Sequence, residues 1–184
     1  MLHQQKSVPF QLLPAQIEAL SSDYLTQGVF QDSFAIRSVE IDGNRLSAQI
    51  DMTQFGVSPT DRDGYHLTAP SVFRFLGQLL VIHGQVYLNL GDHKKVEVWV
   101  KEHSMKHVRP VRSPQGIQVQ GSIESMKKAH SNPAMIGFHY VFDINEGAVR
   151  GEARAFFDLT PFPEILSGLA DETLGKVGRG HGSI

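Results

Sequence analysis

The stretch Thr68-Ala-Pro-Ser-Val-Phe-Arg-Phe-Leu-Gly-Gln-Leu-Leu-Val-Ile-His-Gly-Gln-Val-Tyr-Leu88 decides the fold. Thr68 is an N-cap residue type, with a short hydroxyl that accepts from first-turn amides. Pro70 suits a first turn, where its missing N–H leaves no bond unmade. Val72, Phe73, Phe75, Leu76, Leu79, Leu80, Val81, Ile82 and Val86 then wrap most of the circumference. The spacing predicts a helix over about 69–88, and a helix apolar on nearly all sides is expected to be buried on nearly all sides. At about 1.5 Å per residue it would span roughly 30 Å, but Arg74, Gln78, His83 and Gln85 argue against a bilayer. Gly77 and Gly84 are costly inside a helix, so both are expected to mark close approach of another backbone.

Upstream, Leu13, Ile17, Leu20 and Tyr24 share one helical stripe, predicting a short helix over about 14–27 capped by Gly28. Two strands follow. In the second, Leu46, Ala48, Ile50 and Met52 alternate with polar residues, and Asp42-Gly43-Asn44 supplies the turn before it. An irregular polar loop over 58–67 leads into the apolar helix. Downstream, Val96, Val98 and Val100 alternate with polar or exposed-type residues, as do Ile117, Val119 and Ile123. Ala134 to Phe142 is apolar on both faces, as a central strand should be. Val149, Gly151, Ala153, Ala155 and Phe157 alternate in the last strand, and Pro161 and Pro163 end the sheet. Turns fall at 109–116, 131–133 and 145–147. An α+β hot-dog fold, one antiparallel sheet wrapped around one long buried helix, satisfies this order of elements. A sheet with helices lying across one face is the second arrangement to consider, and it explains the helix less well.

With 184 residues the chain is expected to form a single domain over 1–174, followed by a flexible glycine-rich tail over 175–184. Apolar residues at 41% and charged residues at 20% exclude wholesale disorder. A net charge of −2 supplies no field for nucleic acid or an anionic membrane. The absence of cysteine excludes disulfides, thiolate metal sites and a cysteine nucleophile. The polar start and the lack of any long apolar run lead to the expectation of a soluble, cytoplasmic protein.

Nine histidines invite a metal reading. His103 and His107 have helical spacing, yet they fall in a strand, where four residues span roughly 13 Å, too far to share an ion. No metal and no cofactor are expected. There is no nucleophile elbow, and the one glycine-dense run, Gly178-Arg-Gly-His-Gly182, lies in the tail. What remains is the loop entering the helix, where Asp61, Asp63, Tyr65, His66 and Thr68 gather beside free helix N–H groups. His66 suits a general base near neutral pH. Gln78, nearly three turns along, is a polar interruption. The bland alternative is a solvated loop, with Gln78 bonded to backbone. Lys101, Lys106, His107, Arg109, Arg112, Lys127 and Lys128 form a cationic rim suited to phosphates or an acidic carrier protein, or else an ordinary edge guarded by lysine.

The run Thr68 to Leu79, the segment Lys106-His-Val-Arg-Pro-Val-Arg-Ser-Pro-Gln115 and Gly151-Glu152 resemble the FcoT-like hot-dog thioesterases, bacterial hydrolases of long-chain fatty acyl-CoA. The resemblance runs from about Leu13 to Leu159. It implies an enzyme without a catalytic carboxylate, in which tyrosine and asparagine side chains surround the thioester. Tyr24 falls on the tyrosine ending the first helix, and Phe55 falls near a second one without its hydroxyl. Thr68 falls on the asparagine opening the buried helix, and Gly77, beside Gln78, on a helical asparagine. Tyr65 and His66 are placed to replace the lost polarity. Dehydratases of this class carry an acid fourteen residues after the loop histidine; counting from His66 lands on Leu80. Asp63 is the counterpart of the loop aspartate in other thioesterases of the fold.

The expectation is a homodimer or dimer of dimers acting on acyl-CoA or acyl-ACP at a site between subunits. His66 or Asp63 would activate water, helix N–H groups beyond Thr68 would hold the carbonyl, and Tyr24, Tyr65 and Gln78 would orient the thioester. Phe55, Phe73 and Gly77 would line the acyl path, and Lys106, Arg109 and Arg112 would hold the carrier. The alternatives are a lyase acting at the β-carbon of an acyl-ACP and a non-catalytic acyl-binding subunit.

Overall fold

The computed structural model describes residues 32–57, 64–90 and 96–169. The helix expected over 14–27 with Tyr24, the acidic residues Asp61 and Asp63, and the tail over 175–184 lie outside these residues. In chain order the elements are β1 (Ser33–Asp42), β2 (Arg45–Gln54), α1 (Ala69–Tyr87), β3 (Val98–His107), β4 (Ile117–Lys128), β5 (Met135–Ile144), β6 (Val149–Asp158) and a short α2 (Pro163–Gly168). The six strands form one sheet in the order β1-β2-β4-β5-β6-β3, with every pair antiparallel. A long helix between the second and third strands, packed on an antiparallel sheet of this order, is the hot-dog fold. Among the described residues no helix is long and apolar enough to cross a membrane.

Alternation decides which strand face meets α1. Leu46, Ala48, Ile50 and Met52 of β2 are buried, as are Ile136, Phe138, Tyr140, Phe142 and Ile144 of β5. A bulge between Ile123 and Ser125 shifts the phase of β4, so Met126 continues its inward set after Ile123. Against this face α1 presents Val72, Phe75, Leu76, Leu79 and Leu80, spaced to fall on one stripe. Complete burial of a side chain such as Phe75 or Leu79 stabilises the fold by about 1.5–3 kcal/mol. The tight turn at Gly43 needs its positive φ of 54°. His83 then locks α1 to that turn, its Nε2 donating to the Gly43 carbonyl (3.1 Å) while Nδ1 accepts from the Tyr140 hydroxyl (3.2 Å).

Two expectations about α1 need correction. The helix is buried along a stripe and not on all sides: Gln78 is exposed, and Phe73 and Val86 are 45% and 56% exposed. Among the described residues the sheet packs against one flank of the helix, and Arg74, Gly77, Val81 and Gln85 on the other flank are half-buried. Gly84 does sit against another element, since an added Cβ would run into the Phe157 ring. Gly77 does not, for a Cβ there would meet nothing within 4 Å.

Candidate active site

The residues leading into α1 are tied down before the helix starts. The Leu67 N–H donates to the Val111 carbonyl (2.9 Å), joining this loop to the segment between β3 and β4. Tyr65 and Leu67 are buried, and His66 between them is half-buried. The Tyr65 ring meets Phe55 edge-on, with centroids 4.6 Å apart. Tyr65 is only 5% exposed, and its hydroxyl has no hydrogen-bond partner among the described residues. Burial, and then the negative charge of Asp32, push its pKa far above the ordinary phenol value. The group is therefore a firmly protonated donor at neutral pH.

Thr68 caps α1 as its residue type predicts, accepting from the Ser71 N–H (3.4 Å). Ser71 is buried, and its Oγ bonds both Thr68 Oγ1 (2.8 Å) and the Asp32 carboxylate. A carboxylate only accepts, so Ser71 gives its proton to Asp32 and Thr68 gives its own to Ser71. A relay of two hydroxyls thus ends on an acid placed at the positive end of a helix dipole. Arg74 fixes that acid from the next turn: its guanidinium bonds the Asp32 carbonyl and stands 5.6 Å over the Phe34 ring.

The hydroxyls at the head of α1 also engage its first amides. Of the first-turn amides after Ala69, Pro70 has no N–H, the Ser71 N–H goes to Thr68 Oγ1 and the Val72 N–H returns to the Thr68 carbonyl (3.1 Å). The Tyr65 hydroxyl is a further donor without a partner among the described residues. The structure therefore brings Tyr65, Thr68 and Phe55 together, and adds Asp32, Ser71 and Arg74, which sequence reasoning missed. The Ser71 signal was available, since Thr68-x-x-Ser71 places a second hydroxyl where a capping box carries its N3 partner. Asp32 had none, lying 39 residues from Ser71 in the chain.

Other expected site residues fall elsewhere. Gln78 and Gly77 lie two turns or more along α1, Gln78 on its exposed side. Phe73, 45% exposed, meets His103 of β3 edge-on at 5.1 Å. His103 also stacks on Phe142 at 5.8 Å, its Nε2 is buried without a partner among the described residues, and burial pushes its pKa down. The cationic rim divides. Arg109 donates to the Asn145 carbonyl (2.6 Å) at the β5–β6 turn, and Arg112 follows the Val111 that pairs with the Leu67 loop. Lys106 and His107 are exposed at the end of β3, while Lys101 and Lys127 lie on the far face of the sheet, with Lys128 next along β4. Among the described residues no group of three or more His, Cys, Asp or Glu is placed to hold a metal.

No protein-family model matches the chain, and no curated protein is similar to it at a significant level. Solved structures with a similar arrangement include a thioesterase of Pseudomonas aeruginosa, at 12% identity and a TM-score of 0.44, over 69% of this chain and 81% of that one. A thioesterase protein of Streptococcus pneumoniae with coenzyme A aligns at 11% identity and a TM-score of 0.42, over 68% and 85% of the two chains. A Streptococcus mutans protein bound to acetyl-CoA aligns at 8% identity and a TM-score of 0.42, over 72% and 91%.

Proposed function

We propose that the chain hydrolyses fatty acyl thioesters, carried on coenzyme A or an acyl carrier protein, as the FcoT-like enzymes it resembles do. The observation that carries this reading is the buried Tyr65 hydroxyl, unpartnered among the described residues, beside the Thr68–Ser71–Asp32 relay at the head of α1. A structural cap would explain Thr68, Ser71 and Asp32 by themselves. It does not explain a phenol buried next to them at a desolvation cost of about 1–3 kcal/mol.

In this reading Asp32 takes a proton from water, and the water oxygen bonds to the thioester carbonyl carbon. Charge gathers on the carbonyl oxygen, where the Tyr65 O–H donates to it. The C–S bond then breaks, and the thiolate receives the proton held by Asp32, giving free acid and thiol. His66, half-buried beside Tyr65, is the second candidate base. The acyl chain would run along the partly exposed flank of α1 past Phe73 and Gly77, and a second copy of the chain would close that flank, giving a dimer or dimer of dimers. Tyr24 would orient the thioester and Asp63 is a further candidate base, while Gln78, Lys106, Arg109 and Arg112 would contact substrate farther out.

Thiol release from acyl-CoA and acyl-ACP of graded chain length tests the proposal. Asp32→Asn is expected to lower kcat by about 100-fold or more, with KM little changed. Conversion of enoyl- or hydroxyacyl-ACP without thiol release would replace hydrolysis by lyase chemistry. Tight binding with neither product would leave an acyl-binding subunit.

A further inference from the structure

Two histidines meet the core, and they use their ring nitrogens differently. His83 spends both, Nε2 on the Gly43 carbonyl (3.1 Å) and Nδ1 on the Tyr140 hydroxyl (3.2 Å). His103 sits opposite Ala153 in the β3–β6 ladder, and Ala153 is 5% exposed. Residues directly opposite in a ladder share a face, so the imidazole stands on the side of the sheet that packs on α1. Its ring stacks on Phe142 of β5, with centroids 5.8 Å and planes 12° apart, and meets Phe73 of α1 edge-on at 5.1 Å. Nε2 is buried there without a hydrogen-bond partner among the described residues.

A phenyl ring would make the same stack and the same edge contact. Imidazole adds only its nitrogens, and a buried nitrogen left unmet lowers stability. Burial also pushes the His103 pKa down, so the ring is uncharged at neutral pH and carries one donor and one acceptor. Such a ring suits a neutral hydroxyl, which can answer either nitrogen state, and lacks the charge that favours a carboxylate or phosphate. Phe73, 45% exposed, can turn aside on the picosecond-to-nanosecond scale of surface rotamers and admit a ligand to the ring. It lies five residues beyond Thr68, about 7.5 Å along the helix axis. That interval exceeds the two bonds from a thioester carbonyl to its β-carbon. An oxygen reaching His103 therefore belongs to the middle of the acyl chain and not to the position where lyase chemistry acts.

We infer that His103 Nε2 hydrogen-bonds a hydroxyl carried in the middle of the acyl chain, making mid-chain hydroxyacyl thioesters the preferred substrate class. The inference rests on the hydrolysis proposed above and on the passage of the acyl chain past Phe73, and it adds a second polar anchor to that substrate.

Two readouts on the full chain separate this inference from the reading beneath it. Imidazole 15N shifts of His103 are followed while non-hydrolysable acyl thioethers of one length are added, either unsubstituted, hydroxylated at the β-carbon or hydroxylated mid-chain. Nε2 is expected to be free of hydrogen bonding in the protein alone, and only the mid-chain hydroxyl should shift it. In thiol release, kcat/KM for a mid-chain hydroxyacyl-CoA should exceed that for the unsubstituted one by about tenfold, the scale of one hydrogen bond in a dry site. His103→Phe keeps both ring contacts, should melt at or above the wild-type temperature, and should abolish the preference by slowing the hydroxylated substrate alone. A saturable Nε2 shift without hydrolysis of any substrate would refute the hydrolase and support the binding site. Equal rates on the two substrates, or a preference that a folded His103→Phe variant retains, would overturn the inference and leave hydrolysis standing. An Nε2 already hydrogen-bonded in the protein alone, or one shifted only by the β-hydroxyl compound, would overturn it as well.

Discussion

The Tyr65 hydroxyl separates activity from stability. It is buried, has no partner among the described residues, and lies beside a carboxylate that raises its pKa. Tyr65→Phe removes only that oxygen, so the variant should unfold at the same or a higher temperature, relieved of about 1–3 kcal/mol of desolvation. Its kcat for acyl thioester hydrolysis should fall by about 100-fold, the scale for loss of one oxyanion donor. Thermal melts and thiol release on the same preparation check both halves. His83 gives a second test. Burial pushes its pKa below 6.5, and the Gly43 carbonyl offsets this only in part. The unfolded chain therefore binds a proton that the native chain refuses, so stability is intact above about pH 6.5 and declines as pH falls below it. His103, also pushed down by burial, adds to the same loss. His83→Gln keeps a donor for Gly43 and an acceptor for Tyr140 but cannot titrate. Its melting temperature should fall less than that of the wild type between pH 7 and pH 5.

Among the elements, α1 holds a matched pair of glycines. An added Cβ at Gly84 collides with the Phe157 ring, whereas at Gly77 it meets open space. Gly84→Ala should destabilise by about 1–3 kcal/mol through overpacking. Gly77→Ala should stabilise by about 0.5–1 kcal/mol through helix propensity. Denaturant midpoints of the two variants should move in opposite directions. The pair also marks how far the sequence can be read. Strand faces were legible because alternation in stretches such as Leu46 to Met52 leaves only one face to bury, and the α1 start was legible because Thr68 and Pro70 suit one helix position each. The surroundings of Gly77 and Gly84 were not legible, since the same residue in the same helix differs only in what packs against it. Asp32 was hidden for a related reason. Its meeting with Ser71 depends on how β1 enters the sheet, which no local spacing encodes. The short α2 after the last strand likewise carries no strong periodic signal.

For the molecule as a whole, the partly exposed flank of α1 and the β3 edge raise the question of what completes them. Among the described residues β3 is hydrogen-bonded within its sheet to β6 alone, and Phe73 and Val108, 45% and 57% exposed, are apolar groups left in solvent. The proposed site needs a second copy to close that flank. Sedimentation should therefore give at least twice the 20.4 kDa chain mass, with Phe73→Glu shifting the chain toward monomer and lowering hydrolysis with it. A fully active monomer would remove the partner copy from the account.

The central claim is that substrate reacts at the head of α1. Backbone and side-chain NMR shifts recorded while a non-hydrolysable acyl thioether is added test it most directly. The account predicts saturable shifts at Tyr65, Thr68, Ser71 and Asp32, with a new hydrogen bond at the Tyr65 hydroxyl. Saturable shifts that leave those four residues unmoved would contradict it.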